Sequence, residues 1–364
     1  MSTTTKRLAC AVALAMTFLS RRAPAQVTAA AGYVPPDDKP SVKVGVTIFT
    51  DYTYQSDPKG KDANGNEIDP NSFNLSRAYV NVTGQLHHLI SYRVTTDVTR
   101  ETGSGSSLNG SLTVRLKYAF GQLNMDDWLP GGSWIRLGLQ QTPYIDYAEG
   151  IYRYRFQGPI FVDREGFITS SDFGLSGHVS FPSNFGDVHV GFYNGDGYAK
   201  SEANDQKAVQ ARVSVRPAPR VAIAKGLRLT GFYDADHYAS DQKRERFIGN
   251  LTFEHEYVNA GFDYLNAKDR SALASPEVTG EGYSIWATPK TPVGLEALLR
   301  YDSLKPNKDV DARKKRFIGG IAYWFNPAKG LSTALLADYE KVDYDTKLNK
   351  PDERRYALHL LVNF

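Results

Sequence analysis

The 364-residue chain has one cysteine, Cys10. That residue lies inside an N-terminal segment in which Lys6 and Arg7 precede an apolar run from Leu8 to Leu19, with Ala23-Pro24-Ala25 ahead of Gln26. A basic start, a short apolar stretch and small residues at a cleavage point read as a secretory signal peptide over residues 1–25. Too little hydrophobic sequence precedes Cys10 for a lipoprotein signal. A chain cleaved near Gln26 carries no thiol nucleophile, disulfide or cysteine metal site.

Long apolar runs are also missing. The stretch 8–19 is too short to span a bilayer as a helix, and nothing after residue 25 is apolar enough over a sufficient length. A helical-bundle membrane protein is therefore excluded. A dominant charge is absent too: without Lys6, Arg7, Arg21 and Arg22 there remain 39 basic residues against 40 acidic ones. No basic field is left to hold nucleic acid. The sequence contains no GxSxG, HExxH, Walker or dinucleotide motif, and no cofactor is expected.

What is abundant is aromatic and small: 22 Tyr, 18 Phe and 31 Gly, at a mean hydropathy of −0.41. A negative hydropathy is compatible with membrane residence when only alternate residues of each strand need be apolar. The last residues show that alternation. Tyr356, Leu358, Leu360, Val362 and the terminal Phe364 point one way, and Arg355, Ala357, His359 and Asn363 the other. With a period of two, this is the closing, membrane-inserted strand of an outer-membrane β-barrel, its apolar set toward lipid.

About sixteen such segments can be marked: 42–54, 73–86, 90–100, 112–123, 134–141, 173–181, 187–193, 208–216, 227–236, 247–257, 258–267, 283–288, 293–302, 317–325, 331–339 and 354–364. In the fourth, Leu112, Val114, Leu116, Tyr118 and Phe120 form the expected outward set. Tight turns at 182–186, 289–292 and 326–330 alternate with long polar connectors at 55–72, 101–111, 194–207, 235–246, 268–282, 304–316 and 340–353, as short periplasmic turns and longer outer loops require. The expected organisation is a signal peptide over 1–25, a flexible lead-in over 26–41 and a transmembrane β-barrel over 42–364, all-β and antiparallel.

The connector 142–172 breaks this rhythm. It is about thirty residues long, carries Tyr144, Tyr147, Tyr152, Tyr154, Phe156, Phe161 and Phe167, and adds Arg153, Arg155 and Arg164. A loop of that length is usually functional or disordered, and its aromatic content argues against disorder. It is expected to fold into the lumen and narrow it; the alternative is an ordered outer cap.

The stretch Phe73-Asn74-Leu75-Ser76-Arg77-Ala78-Tyr79-Val80-Asn81-Val82-Thr83-Gly84-Gln85-Leu86, with Tyr92-Arg93 and Asp97, resembles the early strands of the phosphate-selective porin O and P family. Leu137-Gly138-Leu139-Gln140-Gln141-Thr142-Pro143, Asp163-Arg164-Glu165 and Ser171-Asp172-Phe173-Gly174-Leu175-Ser176-Gly177 are similar to that family's strand, constricting loop and following strand. The resemblance implies a sixteen-stranded, homotrimeric outer-membrane porin that passes phosphate or other small anions past lumen arginines. By position it carries over Arg77, Arg93 and the loop arginines around Asp163-Arg164-Glu165. A dense run of basic residues along the pore mouth, which would mark phosphate specificity, is not evident.

Opposition to the apolar sets places Arg77, Arg93, Arg115, Lys117 and Arg136 on inward positions, with Asp97 as counter-charge. With Arg153, Arg155 and Arg164 these make one wall and the loop basic. Later strands add Arg212, Arg216, Arg228, Arg300 and Arg316 inward, along with Asp187, Asp234, Glu254, Glu256, Asp263, Glu296, Asp302 and Asp338. A basic wall opposite an acidic one would set a transverse field, and the sign of charge at the narrowest point would select ions. Arginine's donor fork suits phosphate and carboxylate oxygens, so modest anion preference is expected. The competing reading is that these arginines pair with Asp97, Asp163, Glu165 or backbone carbonyls and merely hold the loop.

His178 and His189 fall on inward positions of neighbouring strands, as polar lining, a metal pair or half of a hydrolase site. Asp62, Asn64, Asn66 and Asp69 superficially match a calcium loop but lack the glycine and terminal glutamate spacing it needs, so a solvated outer loop is expected. Two function classes stay open: a channel for passive diffusion of ions and small hydrophilic solutes, and a barrel enzyme or adhesin acting at its rim or outer loops.

Overall fold

The computed structural model describes residues 37–202, 204–325 and 332–364; the expected signal peptide, most of the lead-in and the turn 326–330 lie outside them. The described chain forms a closed antiparallel barrel of sixteen strands. In order these are β1 Ser41–Asp57, β4 Asn71–His87, β5 Ile90–Arg100, β6 Leu112–Asn124, β7 Trp134–Gln141, β8 Ser171–Ser180, β9 Gly186–Tyr193 and β10 Ala208–Val215, then β11 Leu227–Ala239, β12 Gln242–Glu254, β13 Val258–Asp269, β14 Val278–Pro289, β15 Leu295–Lys305, β16 Lys314–Phe325, β17 Ser332–Tyr344 and β18 Glu353–Asn363. A small hairpin, β2 Gly60–Lys61 with β3 Glu67–Ile68, stands apart from the barrel in the first long connector.

Closure follows from the ends of the chain. β1 pairs with β18 from Thr47↔Asn363 to Tyr54↔Tyr356, and Val46 and Phe364 exchange backbone hydrogen bonds of 2.9 and 3.0 Å. A closed ring leaves no strand edge with unpaired N–H and C=O groups, which hydrocarbon would penalise by several kcal/mol each. Among the described residues no helix is long and apolar enough to cross a membrane. The outward positions form an apolar and aromatic belt that includes Leu137, Phe192, Ile285, Phe317, Tyr323, Tyr356 and Leu358, all exposed.

Two bulges change which side chains reach the lumen. Between β5 and β6, Thr95 faces Tyr118 and Thr96 faces Leu116, so Lys117 is an extra residue without a partner. A bulge of this kind shifts the alternation by one. Leu112, Val114 and Leu116 remain outward, whereas Tyr118 and Phe120, expected outward with them, turn into the lumen and are only 2% and 8% exposed. A similar slip at Ser76, between Phe49↔Arg77 and Thr50↔Leu75, lets Phe73 face outward while Arg77 and Tyr79 face inward. The polar connector expected at 235–246 is instead a nearly continuous hairpin: β11 and β12 pair from Leu227↔Phe253 to Ala239↔Gln242.

The segment between β7 and β8 lies inside the barrel. It forms a helix, Ile145–Tyr152, and a single helical turn, Phe161–Arg164. Tyr144, Ile145, Ile151, Tyr152, Tyr154, Phe161 and Val162 are each at most 1% exposed. They pack on inward apolar residues of the later strands, including Phe232, Ile248, Leu265, Trp286, Leu298 and Ile318. The loop thus buries an apolar core within the lumen, against one sector of the wall.

Candidate functional site

The site is the space between that loop and the wall formed by β4 to β7. Arg77 Nη1 lies 2.9 Å and Arg115 Nε 3.2 Å from the same oxygen, Oδ2 of Asp97, whose side chain is fully buried. Tyr198, from the connector after β9, joins them: Arg115 Nη2 donates to its hydroxyl at 2.9 Å, and that hydroxyl donates to Asp97 at 3.3 Å. Two guanidinium charges therefore share one carboxylate.

Arg93 donates to Asn81 Oδ1 at 2.9 Å and Thr95 Oγ1 at 3.0 Å, with its guanidinium 4.5 Å above the Tyr118 ring. Lys117 places Nζ 4.7 Å from the Tyr79 ring centre and 5.2 Å from that of Tyr118. Arg136 donates to Gln122 Oε1 at 2.6 Å and Gln141 Oε1 at 3.1 Å, stacked 3.7 Å over Trp134. Among the described residues, no carboxylate oxygen lies within 4.0 Å of Arg93, Lys117 or Arg136. Ring faces and side-chain amides hold these three cations.

The loop arginines are disposed differently from the sequence-based expectation of a basic loop. Arg153 is 3.3 Å from Glu296 on β15 and 4.3 Å over the Trp324 ring. Arg164 Nη1 donates to Glu340 on β17 at 3.0 Å and its Nη2 to Gln157 at 2.9 Å. Both point away from the β4–β7 wall. Arg155 pairs within the loop, 2.8 Å from Glu149 and 4.0 Å from Asp163.

The expected acidic wall is likewise not free to face the pore. Asp187 is held by Arg212 and by His178 at 3.0 Å, Glu254 pairs with Arg228, and Asp302 takes Arg300 at 2.7 Å. Asp263 accepts from Tyr144 and Asn250, and Asp338 lies 3.5 Å from His359. Asp234 is buried, and Glu256 is exposed in the turn between β12 and β13 rather than in the lumen. The negative groups that oppose the basic wall belong to the loop. Asp146 accepts from Tyr118 at 2.8 and 2.9 Å, and Glu149 and Asp163 feel the charge of Lys117. Burial pushes the Glu149 carboxyl up to about 7 against the pull of Arg155; burial raises Asp163 as well.

Below the loop, toward the short turns, a cavity of about 690 Å³ is lined by Arg136, Arg212, Arg216 and Arg228 with Asp146 and Asp187. His178 and His189 are directly paired across β8 and β9 with ring centres 6.2 Å apart. His178 gives its second nitrogen to Gly132 O at 2.9 Å, and His189 packs edge-on to Trp134. Asp62 accepts from the Asn64 and Asn66 amides at 2.8 and 2.9 Å, which makes that segment a turn built on a side-chain acceptor.

Sequence reasoning missed Tyr79, Tyr118, Tyr198, Asp146 and Glu340 as parts of this arrangement. Tyr79 shares the inward parity of Arg77 and was legible in principle. Tyr118 is hidden by the bulge, and Tyr198 and Asp146 come from loops where alternation carries no information.

The chain matches no family model, and it matches no curated protein sequence. Its fold is similar to solved outer-membrane structures. An anion-selective porin from Comamonas acidovorans aligns at a TM-score of 0.59 and 12% identity, covering 90% of this chain and 100% of that one. In-vitro folded OmpT of Vibrio cholerae, in a trimer form, aligns at 0.56 and 12%, covering 90% and 100%. The outer-membrane channel DcaP of Acinetobacter baumannii aligns at 0.54 and 13%, covering 89% and 97%. At such identities the common ground is the porin-type barrel.

Proposed function

We propose that this protein is an outer-membrane porin: a water-filled channel for passive diffusion of ions and small hydrophilic solutes, with modest preference for anions of the phosphate type. One observation carries the reading. Five cationic side chains, Arg77, Arg93, Arg115, Lys117 and Arg136, line adjacent strands at the narrow part of the lumen, and Asp97 is the only carboxylate within 4.0 Å of any of them among the described residues. Arg93, Lys117 and Arg136 are tethered by side-chain amides, a hydroxyl and rings, and Arg77 and Arg115 share a single carboxylate, so the set keeps a net positive charge while its geometry is fixed. Arginine forks in that setting favour oxyanions, and low-dielectric walls magnify each charge. The buried Arg153 and Arg164 serve a different role here, pinning the constriction loop, and Arg155 offsets Glu149 and Asp163.

Porin neighbours, one of them in a trimer form, and the resemblance of the early strands support export to the bacterial outer membrane and a homotrimer. Conduction is tested in a planar lipid bilayer. Stepwise single-channel current and a reversal potential of anion-selective sign in a potassium chloride gradient are expected, with phosphate reducing the chloride current. An Arg93→Gln/Lys117→Gln/Arg136→Gln variant should shift the reversal potential toward cations. Cation preference of the native protein, or electrical silence, refutes the proposal. Trimer mass in detergent, measured by light scattering, tests the assembly.

A further inference from the structure

β4 ends at His87, and the tight turn to β5 carries His88 and Leu89. In a regular strand adjacent side chains point to opposite faces. Here the register slips between Gln85 and His87 as the strand ends, and the two imidazoles lie side by side with ring centres 4.2 Å apart. The segment leading into β1 brings a carboxylate to them. Gln85 Nε2 fixes that segment by donating to the Asp37 carbonyl, the Lys39 carbonyl and Asp37 Oδ1, each at 2.9 Å. Asp38 Oδ1 then meets both rings, 3.2 Å from His87 Nε2 and in closer contact with His88 Nδ1. The three ligand atoms lie within 4.8 Å of one another.

A fourth residue completes the arrangement. Asp127, in the turn between β6 and β7, places Oδ2 3.1 Å from His88 Nε2. A carboxylate on the outer nitrogen of an imidazole holds the proton there and leaves the inner nitrogen's lone pair free to ligate, the usual support of a metal-bound histidine. All four side chains are partly open to water, so an ion can reach them.

We propose that Asp38, His87 and His88 bind a first-row divalent cation of borderline softness, with Zn²⁺ as the test ion and Asp127 as the positioning residue for His88. Two imidazoles and one carboxylate suit such ions better than Ca²⁺ or Mg²⁺, which take oxygen ligands. Three protein ligands leave a fourth position to water. When His87 Nε2 takes the ion, the loose 3.4 Å approach of the Leu89 amide to its Nδ1 is given up. The bound ion cross-links the segment that leads into β1 to the rim of the barrel. This site is independent of the channel reading, since none of its residues faces the constriction.

The test is calorimetric titration of the folded full barrel in detergent, stripped with EDTA and then given ZnCl₂. Saturable binding of one ion per chain is expected, with zinc K-edge absorption showing a nitrogen and oxygen shell at about 2.0–2.1 Å. His87→Gln/His88→Gln should weaken binding by about 100-fold or more and Asp127→Asn by about 10-fold, with Asp127→Glu restoring affinity. His178→Gln/His189→Gln should leave it unchanged. Absence of saturable binding by the native protein overturns the proposal, as does undiminished binding by the His87/His88 variant. Should that variant fail to run as a folded barrel on an unheated gel, Asp38→Asn decides: a loss of about 10-fold supports the site, and none overturns it.

Discussion

Replacing Glu340 with glutamine tests what holds the constriction loop closed. The Glu340 carboxylate, on β17, accepts from Arg164 Nη1 at 3.0 and 3.1 Å and from Gln157 at 3.1 Å, both loop residues. It also takes Arg316 and, at 2.5 Å, Arg355. Three guanidinium groups therefore converge on one buried charge, and the amide variant leaves them mutually repelling. Breaking a buried pair by removing one partner costs about 3–5 kcal/mol. If that cost falls on the docked loop, its opening equilibrium rises by roughly 150- to 5,000-fold, at 1.36 kcal/mol per factor of ten. Aromatic burial still favours docking: four of the loop's ring side chains, at about 1.5–3 kcal/mol each, contribute about 6–12 kcal/mol. The expected result is a channel that stays at its native, loop-narrowed conductance most of the time but shows brief excursions to a larger conductance in bilayer recordings, absent from the native trace. A second substitution, Arg164→Gln, should suppress part of the effect by removing one unmatched charge. Identical conductance histograms and unchanged thermal unfolding for Glu340→Gln would refute the claim that this cluster fastens the loop.

Asp97→Asn removes the one carboxylate shared by Arg77 and Arg115; the reversal potential should move further toward anions while the barrel loses about 3 kcal/mol of stability, and unchanged selectivity would mean that permeating ions do not sense those two arginines. Gly282 leaves room for the loop, since an added methyl would stand 2.7 Å from Phe161 Cζ and 2.7 Å from the Ser303 carbonyl; Gly282→Ala should destabilise by about 1–3 kcal/mol, read as a lower temperature of gel-mobility shift. Because the Glu149 carboxyl is raised to about 7, lowering the pH from 8 to 6 protonates it and removes a negative charge opposite the basic wall. Anion preference should therefore rise across that window, and Glu149→Gln should flatten the dependence.

Much of the architecture was written in the alternation of polarity. The final strand, with Tyr356, Leu358, Leu360 and Phe364 on one face, is read from side-chain chemistry alone, because a face turned to lipid takes an unbroken apolar set. The unusual length and aromatic content of 142–172 marked an inward loop for a similar reason: seven rings in one connector must be covered. What alternation cannot encode is a residue that steps out of register. Lys117 and Ser76 each reverse the parity of the residues that follow, so simple alternation assigns Tyr118 and Phe120 to the lipid face although both are buried inside. Partnerships across the lumen were also beyond reach. Arg164 meets Glu340 and Arg153 meets Glu296 at separations of 176 and 143 residues, set by barrel closure rather than local spacing. Arginines that looked like one basic group were therefore divided between wall and fastening.

The apolar packing of the loop against a single sector makes the interior lopsided. Side chains of Arg77 and Arg115 keep 24% and 33% of their surface open, while Arg228, Arg300 and Arg316 on the opposite arc keep 9% or less. The loop thereby fills the later-strand side above the cavity that Arg136 and Arg212 line, and the open surface beside it lies on the early strands. On the channel reading, a solute taking that side passes next to Arg77 and Arg115.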